Sequence, residues 1–132
     1  MSTMERILRL MADRKASDIY LSAHAPAQIR INGQCLPINA QLLPPEAPLS
    51  LLSEILPANR IDELKRNGEL NTAVALEGAG NYRISAMRQR GTYAVVVRHI
   101  PSTIPAFDTL NLPPILKTLI MEKRGLILMV GA

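Results

Sequence analysis

Apolar positions recur along this chain with two periods, and the switches between them mark the elements. Ser2 stands three residues before Glu5, the spacing of a capping box. Met4, Ile7, Leu8 and Met11 then fall at i, i+3, i+4 and i+7, which predicts a helix ending near Lys15, with the methionines as core filler. Over residues 18–22 the period shortens to two, a short strand with Ile19 and Leu21 on one side. Ala27, Ile29 and Ile31 alternate with Gln28, Arg30 and Asn32, and Asn32-Gly33 suits a type I′ turn because both central residues need φ > 0. This stretch predicts a β-hairpin whose second arm holds Cys35 as a small packed side chain.

Pro44-Pro45-Glu46 opens a second expected helix, with Leu49, Leu52, Ile55 and Leu56 as its apolar stripe and Pro48 in the first turn, where a missing N–H costs least. Pro57 ends it. A third helix spans 58–66 and closes on Asn67-Gly68, with Asp62, Glu63, Lys65 and Arg66 on a solvated face. Three strands follow at 69–76, 81–89 and 92–99, joined by hairpin turns at Glu77-Gly78-Ala79-Gly80 and Arg90-Gly91. Pro101, Pro105, Pro113 and Pro114 then give the texture of a linker. A short helix over 114–123 is closed by Gly125, and the continuous apolar run 126–132 reads as a strand buried on both faces of a parallel sheet. The chain is therefore expected to stop inside a second domain.

Composition narrows the function classes. The chain has 132 residues, 48% hydrophobic and 20% charged, which is globular and not disordered. Its longest apolar run is far short of the ~18 residues that span a bilayer, and no basic, then apolar, leader opens the chain. One cysteine and two histidines argue against a disulfide scaffold or a structural zinc module, so a reduced, cytosolic setting is expected. Lys and Arg exceed Asp and Glu by 15 to 11, a net charge of +4. Between Glu77 and Asp108 there is no acidic residue, yet Arg83, Arg88, Arg90 and Arg98 lie there, which points to an anionic partner. Aromatic residues make up only 3% of the chain, a poor stacking platform for a nucleic-acid strand, so a compact phosphate fits better.

A symmetric loop at Arg90-Gly91 pairs Ala86 with Val95, Ile84 with Val97 and Tyr82 with His99 on a core-facing side. The opposite side then sets Arg83 directly across from Arg98. Like charges so placed destabilise a sheet by a few tenths of a kcal/mol, and an anion between them reverses the sign. The competing reading is that the two side chains splay into water or reach carboxylates elsewhere. Arg88 and Arg90, nearer the turn, read as solvated or interfacial. No catalytic set and no metal site is expected: Ser17 and Ser22 lack a base, His24 lies in a loop beside Pro26, and His99 is a structural residue at a strand end. Gly131 after an apolar strand is how a phosphate loop G-x-x-x-x-G-K-[ST] begins.

The chain as a whole resembles the N-terminal part of type IV pilus retraction ATPases, the PilT/PilU twitching-motility family, and is nearer PilU. The resemblance is carried by Leu8-Arg9-Leu10-Met11, Ala16-Ser17-Asp18-Ile19-Tyr20-Leu21 and Arg30-Ile31-Asn32-Gly33. It continues through Gly80-Asn81-Tyr82-Arg83-Ile84-Ser85-Ala86, Arg88-Gln89-Arg90, Val97-Arg98-His99-Ile100-Pro101 and the stretch from Lys123 to Ala132. It implies an α+β fold: a PAS-like N-terminal domain at 1–100, an antiparallel sheet with helices packed on it. A linker at 101–113 follows, then the first helix and strand of a RecA-like α/β ATPase domain at 114–132, truncated at the Walker A loop.

The resemblance further implies a nucleotide-sensing and assembly domain, whose Arg83 and Arg98 contact the phosphates of ATP bound by the RecA-like domain, to which Gly131 belongs. ATP and Mg2+ are expected as cofactors of the full-length protein, and this chain alone is expected to bind neither and to hydrolyse nothing. The implied partners are neighbouring subunits of a homo-hexamer, the type IV pilus inner-membrane machinery and a paralogous retraction ATPase, without nucleic acid. The implied place is the cytoplasmic base of the pilus, peripheral to the inner membrane. Residues Asn71-Thr72-Ala73-Val74 depart from the acidic or aromatic residue relatives often carry there. Two other readings compete: a stand-alone PAS-like sensor or ligand-binding module, and a small basic nucleic-acid binder.

Overall fold

Ser2 caps the first helix, α1 (Thr3–Asp13), through both halves of the capping box: its Oγ accepts from the Glu5 N–H, and the Glu5 carboxylate accepts from the Ser2 N–H. Met4, Leu8 and Met11 are buried along one side of it. In the computed structural model, which describes residues 1–131, the chain falls into two units, 1–102 and Thr103 onward.

The first unit continues with β1 (Asp18–Ser22), β2 (Pro26–Ile31), β3 (Gln34–Leu42), α2 (Ala47–Ser53), α3 (Ala58–Asn67), β4 (Glu69–Leu76), β5 (Gly80–Gln89) and β6 (Thr92–Ile100). The six strands form one sheet in the order β3-β2-β1-β6-β5-β4, and every neighbouring pair is antiparallel. Two turns carry the expected signature, Asn32 (φ 48°) with Gly33 (φ 80°) and Arg90 (φ 48°) with Gly91 (φ 80°).

Alternation puts Ile19, Leu21, Ala27, Ile29, Leu70, Tyr82, Ile84, Ala86, Val95 and Val97 on one face, where they bury against Met4, Leu8, Leu51, Leu52, Ile61 and Leu64 of the helices. Tyr82 is wholly buried, and its hydroxyl donates to the Leu8 carbonyl at 2.7 Å, tying β5 to α1. Burial pushes its phenol pKa up from the ordinary value.

Three of the expected elements change. The second helix starts at Ala47, not Pro44: Pro45 and Glu46 form a turn in which the Ala47 N–H donates to the Pro44 carbonyl at 3.0 Å; Leu56, before Pro57, is outside the helix yet buried. The helix of the second unit is shorter, α4 (Ile115–Leu119), preceded by a 3-10 turn at Phe107–Thr109. The expected strand at 126–132 is not formed: Leu126, Ile127, Leu128, Met129 and Val130 are exposed and in no ladder, while Ala132 lies outside the described residues. A buried parallel strand needs neighbours on both sides, and residues 103–131 supply none. Among the described residues no helix is long and apolar enough to cross a membrane.

Candidate functional site

The face of the sheet opposite the core carries one transverse row of charge. Arg30 on β2 pairs with Asp18 on β1, Asp18 pairs with Arg98 on β6, and Arg98 pairs with Arg83 on β5. Period-two alternation dictates this: Ile29, Ile19, Val97 and Ile84 occupy the core face, so their chain neighbours Arg30, Asp18, Arg98 and Arg83 must lie on the other. The Arg83–Arg98 juxtaposition expected from the hairpin is present, with Ile84–Val97, Ala86–Val95 and Tyr82–His99 alongside it.

Asp18 is the residue the sequence reading missed. Its side chain is only 3% exposed, although it lies on the outer face. Arg98 Nε donates to its Oδ1 at 2.9 Å, Ser17 Oγ donates to its Oδ2 at 2.9 Å, and Arg30 Nη1 stands 3.8 Å from Oδ2. Burial by itself would raise the Asp18 pKa. The hydrogen bonds from Arg98 and Ser17 and the charges of Arg98 and Arg30 outweigh it, and the net direction is down. Arg30 also lies over the Tyr20 ring, 5.3 Å from its centroid. Of the two readings left open for the arginines, Arg98 therefore reaches a carboxylate, whereas Arg83 has no acidic partner among the described residues.

Between the two arginines lies a recess of about 180 Å³, lined by Arg83, Ser85, Val96 and Arg98. The Ser85 hydroxyl donates to Asn71 Oδ1 at 2.7 Å, which fixes one wall. Three guanidinium groups against one carboxylate leave the row a surplus of two positive charges. Arg98 spends its Nε on Asp18 and keeps its terminal nitrogens. The arrangement is suited to a compact anion with several oxygens, received by planar charge-assisted donors.

The remaining candidates lie elsewhere. Gly131 is exposed in the second unit. Arg88 donates to the Lys65 carbonyl and lies over Tyr93 at 6.0 Å, and Arg90 is a turn residue. His99 stacks at a tilt on Tyr82 with its Nε2 3.2 Å from the Ala79 carbonyl oxygen, a structural role. His24 is exposed. Cys35 is exposed, contrary to its expected packing, because it pairs with Arg30 and so shares the outer face, on an edge strand that the helices do not cover. Among the described residues no cluster of His, Cys, Asp and Glu could hold a metal. Away from the row, an apolar groove of about 610 Å³ is lined by residues that include Ile7, Leu10, Ile38, Leu43 and Leu51, with Arg6 also on its wall.

No protein-family model matches the chain. The type IV pilus ATPase PilU of Pseudomonas aeruginosa is 35% identical over 128 residues, which is 97% of this chain and 34% of PilU. The type IV pilus retractation ATPase PilT of the same organism is 27% identical over 95% of this chain and 36% of its own length. Among solved structures, the pilus retraction motor PilT with bound ADP superposes with a TM-score of 0.74 at 28% identity, over 92% of this chain and 36% of that one. The chain thus spans about a third of the length of the relatives it matches.

Proposed function

The chain is the counterpart of the N-terminal domain of a PilT/PilU-type pilus ATPase, and on that premise we propose that its outer sheet face contacts the phosphates of ATP held by a RecA-like domain of a longer protein. Residues 1–100 would form the PAS-like domain, 101–113 the linker and 114–132 the start of the RecA-like domain, with Gly131 opening its Walker A loop. One observation carries the reading: Arg83 and Arg98 stand in register on an exposed face, around a recess, and among the described residues no carboxylate pairs with Arg83.

ATP with Mg2+, bound by the RecA-like domain, supplies the phosphoryl group and the free energy. Arg98 and Arg83 donate to phosphate oxygens and stabilise the charge that develops there, as arginine fingers do. Loss of the terminal phosphate removes the anion that offsets their mutual repulsion, and the domains are then free to rotate about the linker. In this reading the subunits work as a homo-hexamer at the cytoplasmic base of a type IV pilus, with the inner-membrane machinery and a paralogous ATPase as partners. They drive pilus disassembly and twitching motility.

The test is ATP hydrolysis by the protein extended through its second domain, comparing wild type with Arg83→Ala and Arg98→Ala, with assembly monitored by light scattering. A loss of about 10²–10³-fold in rate with assembly intact is expected. Unchanged rates in both variants would contradict the reading. One observation favours the second reading, a ligand-binding module: the apolar groove beside α1, β3 and α2. A small molecule that protects Leu10 and Ile38 resonances while leaving Arg98 unmoved would support it.

A further inference from the structure

The stretch Ala16-Ser17-Asp18-Ile19 places a carboxylate where electrostatics alone argues against one. A face that recruits phosphate gains nothing from a negative charge in its row, because that charge repels the ligand. Asp18 is nonetheless the most deeply buried residue of the row, and its oxygens are held by Arg98, by Ser17 and, at longer range, by Arg30.

We propose that Asp18 is a positioning residue that holds Arg98 in the orientation that receives a polyphosphate, an inference that rests on the phosphate reading of Arg83 and Arg98. Arg98 is 65% exposed, and an arginine so exposed would sample many rotamers. The bond from its Nε to Asp18 fixes the guanidinium plane by one edge and leaves the two terminal nitrogens for the anion. The carboxylate is itself held in place: Ser17 occupies its other oxygen, and Arg30, seated over Tyr20, adds a weaker charge contact at 3.8 Å from the far side. Arg83 has no such anchor among the described residues. The two arginines are therefore unequal: Arg98 is preset and Arg83 closes over the bound anion.

Charge and position make opposite forecasts, which makes the proposal testable. Asp18→Asn raises the net charge of the row, so simple attraction requires tighter anion binding, whereas loss of positioning requires weaker binding. Inorganic tripolyphosphate, at low salt and at concentrations high enough to read the weak affinity of the recess without a RecA-like domain to hold the nucleotide, is titrated calorimetrically into the 132-residue chain as wild type, Asp18→Asn, Arg83→Ala, Arg98→Ala and the Asp18→Asn/Arg98→Ala double variant. The Arg98 Nε–H resonance is followed in parallel.

The expected result is a dissociation constant roughly tenfold higher in Asp18→Asn despite the added charge. In the Arg98→Ala background the same change has no weakening effect. The Arg98 Nε–H signal is protected from exchange in the wild type and lost in Asp18→Asn. Should Asp18→Asn not fold, Ser17→Ala loosens the same carboxylate and is expected to weaken binding about twofold.

Equal or tighter binding by Asp18→Asn, or equal weakening with and without Arg98, overturns the proposal. If Arg83→Ala and Arg98→Ala bind tripolyphosphate as the wild type does, the phosphate reading fails and the proposal with it. That outcome is told apart from failure of Asp18 alone, in which the arginine variants lose binding and Asp18→Asn does not.

Discussion

Asp18 on β1 and Arg98 on β6 are register partners, and Arg98 Nε donates to Asp18 Oδ1 at 2.9 Å across 80 residues of chain. The bond closes the join between the hairpin β1-β2-β3 arm of the sheet and the β4-β5-β6 arm. It gives the outer face a buried anion flanked by cations. The Asp18 carboxyl, pKa lowered by these partners against the cost of burial, contributes stability that is present above its unfolded pKa of about 3.9 and lost as pH falls through the folded value. Urea midpoints should therefore fall as pH is lowered below about 4. Asp18→Asn should flatten part of that acid limb; an unchanged limb would show that Asp18 does not carry it.

The two arginines should separate in their effect on stability. Arg98→Ala leaves a buried carboxylate with Ser17 and a distant Arg30, and should cost about 1–2 kcal/mol, below the value for a fully buried pair because Arg98 is largely exposed. Arg83→Ala removes like-charge repulsion and, among the described residues, no acidic partner, so its effect should stay within about 0.5 kcal/mol of zero. Chemical denaturation of the two variants decides this directly.

Tyr82→Phe removes a hydroxyl that donates to the Leu8 carbonyl at 2.7 Å and, at a longer 3.2 Å, approaches the Ala79 carbonyl, without opening a cavity. It should cost about 1 kcal/mol, with an unchanged denaturant slope. A loss above about 3 kcal/mol would contradict a hydroxyl that only joins β5 to α1 and to the Ala79 turn.

Gly80→Ala meets two obstacles at once. The residue has φ 111°, where an L side chain is strained, and a Cβ there would lie 2.9 Å from His99 Nε2. A loss of about 2 kcal/mol is expected, with the His99 ring signals displaced from their Tyr82-stacked positions in the NMR spectrum. Unmoved His99 signals would contradict the close approach.

How much of this was legible in the sequence depended on how local the determinant is. The Arg83–Arg98 pairing followed from one tight turn at Arg90-Gly91 and period-two alternation, both set by residues a few positions apart. The Asp18–Arg98 bond did not, because β1 and β6 become neighbours only after the whole sheet assembles, and no pattern in residues 18–22 names their partner strand. Cys35 lies across the Asn32-Gly33 turn from Arg30, a pairing as local as that of Arg83 with Arg98; what local pattern does not tell is that β3 ends up at the edge of the sheet, where Cys35 is exposed. The run Leu126 to Val130 has the composition of a buried strand and no strand to join within residues 103–131, so composition alone could not produce the ladder.

The reading proposed for Arg83 and Arg98 has them meet the phosphates of a nucleotide. It is tested most directly by a structure of the protein extended through its second domain with a non-hydrolysable ATP analogue. The account predicts guanidinium nitrogens of both arginines about 2.7–3.2 Å from terminal phosphate oxygens, with Arg98 still bonded to Asp18. A nucleotide whose phosphates lie against other residues, with Arg83 and Arg98 facing solvent, would contradict it.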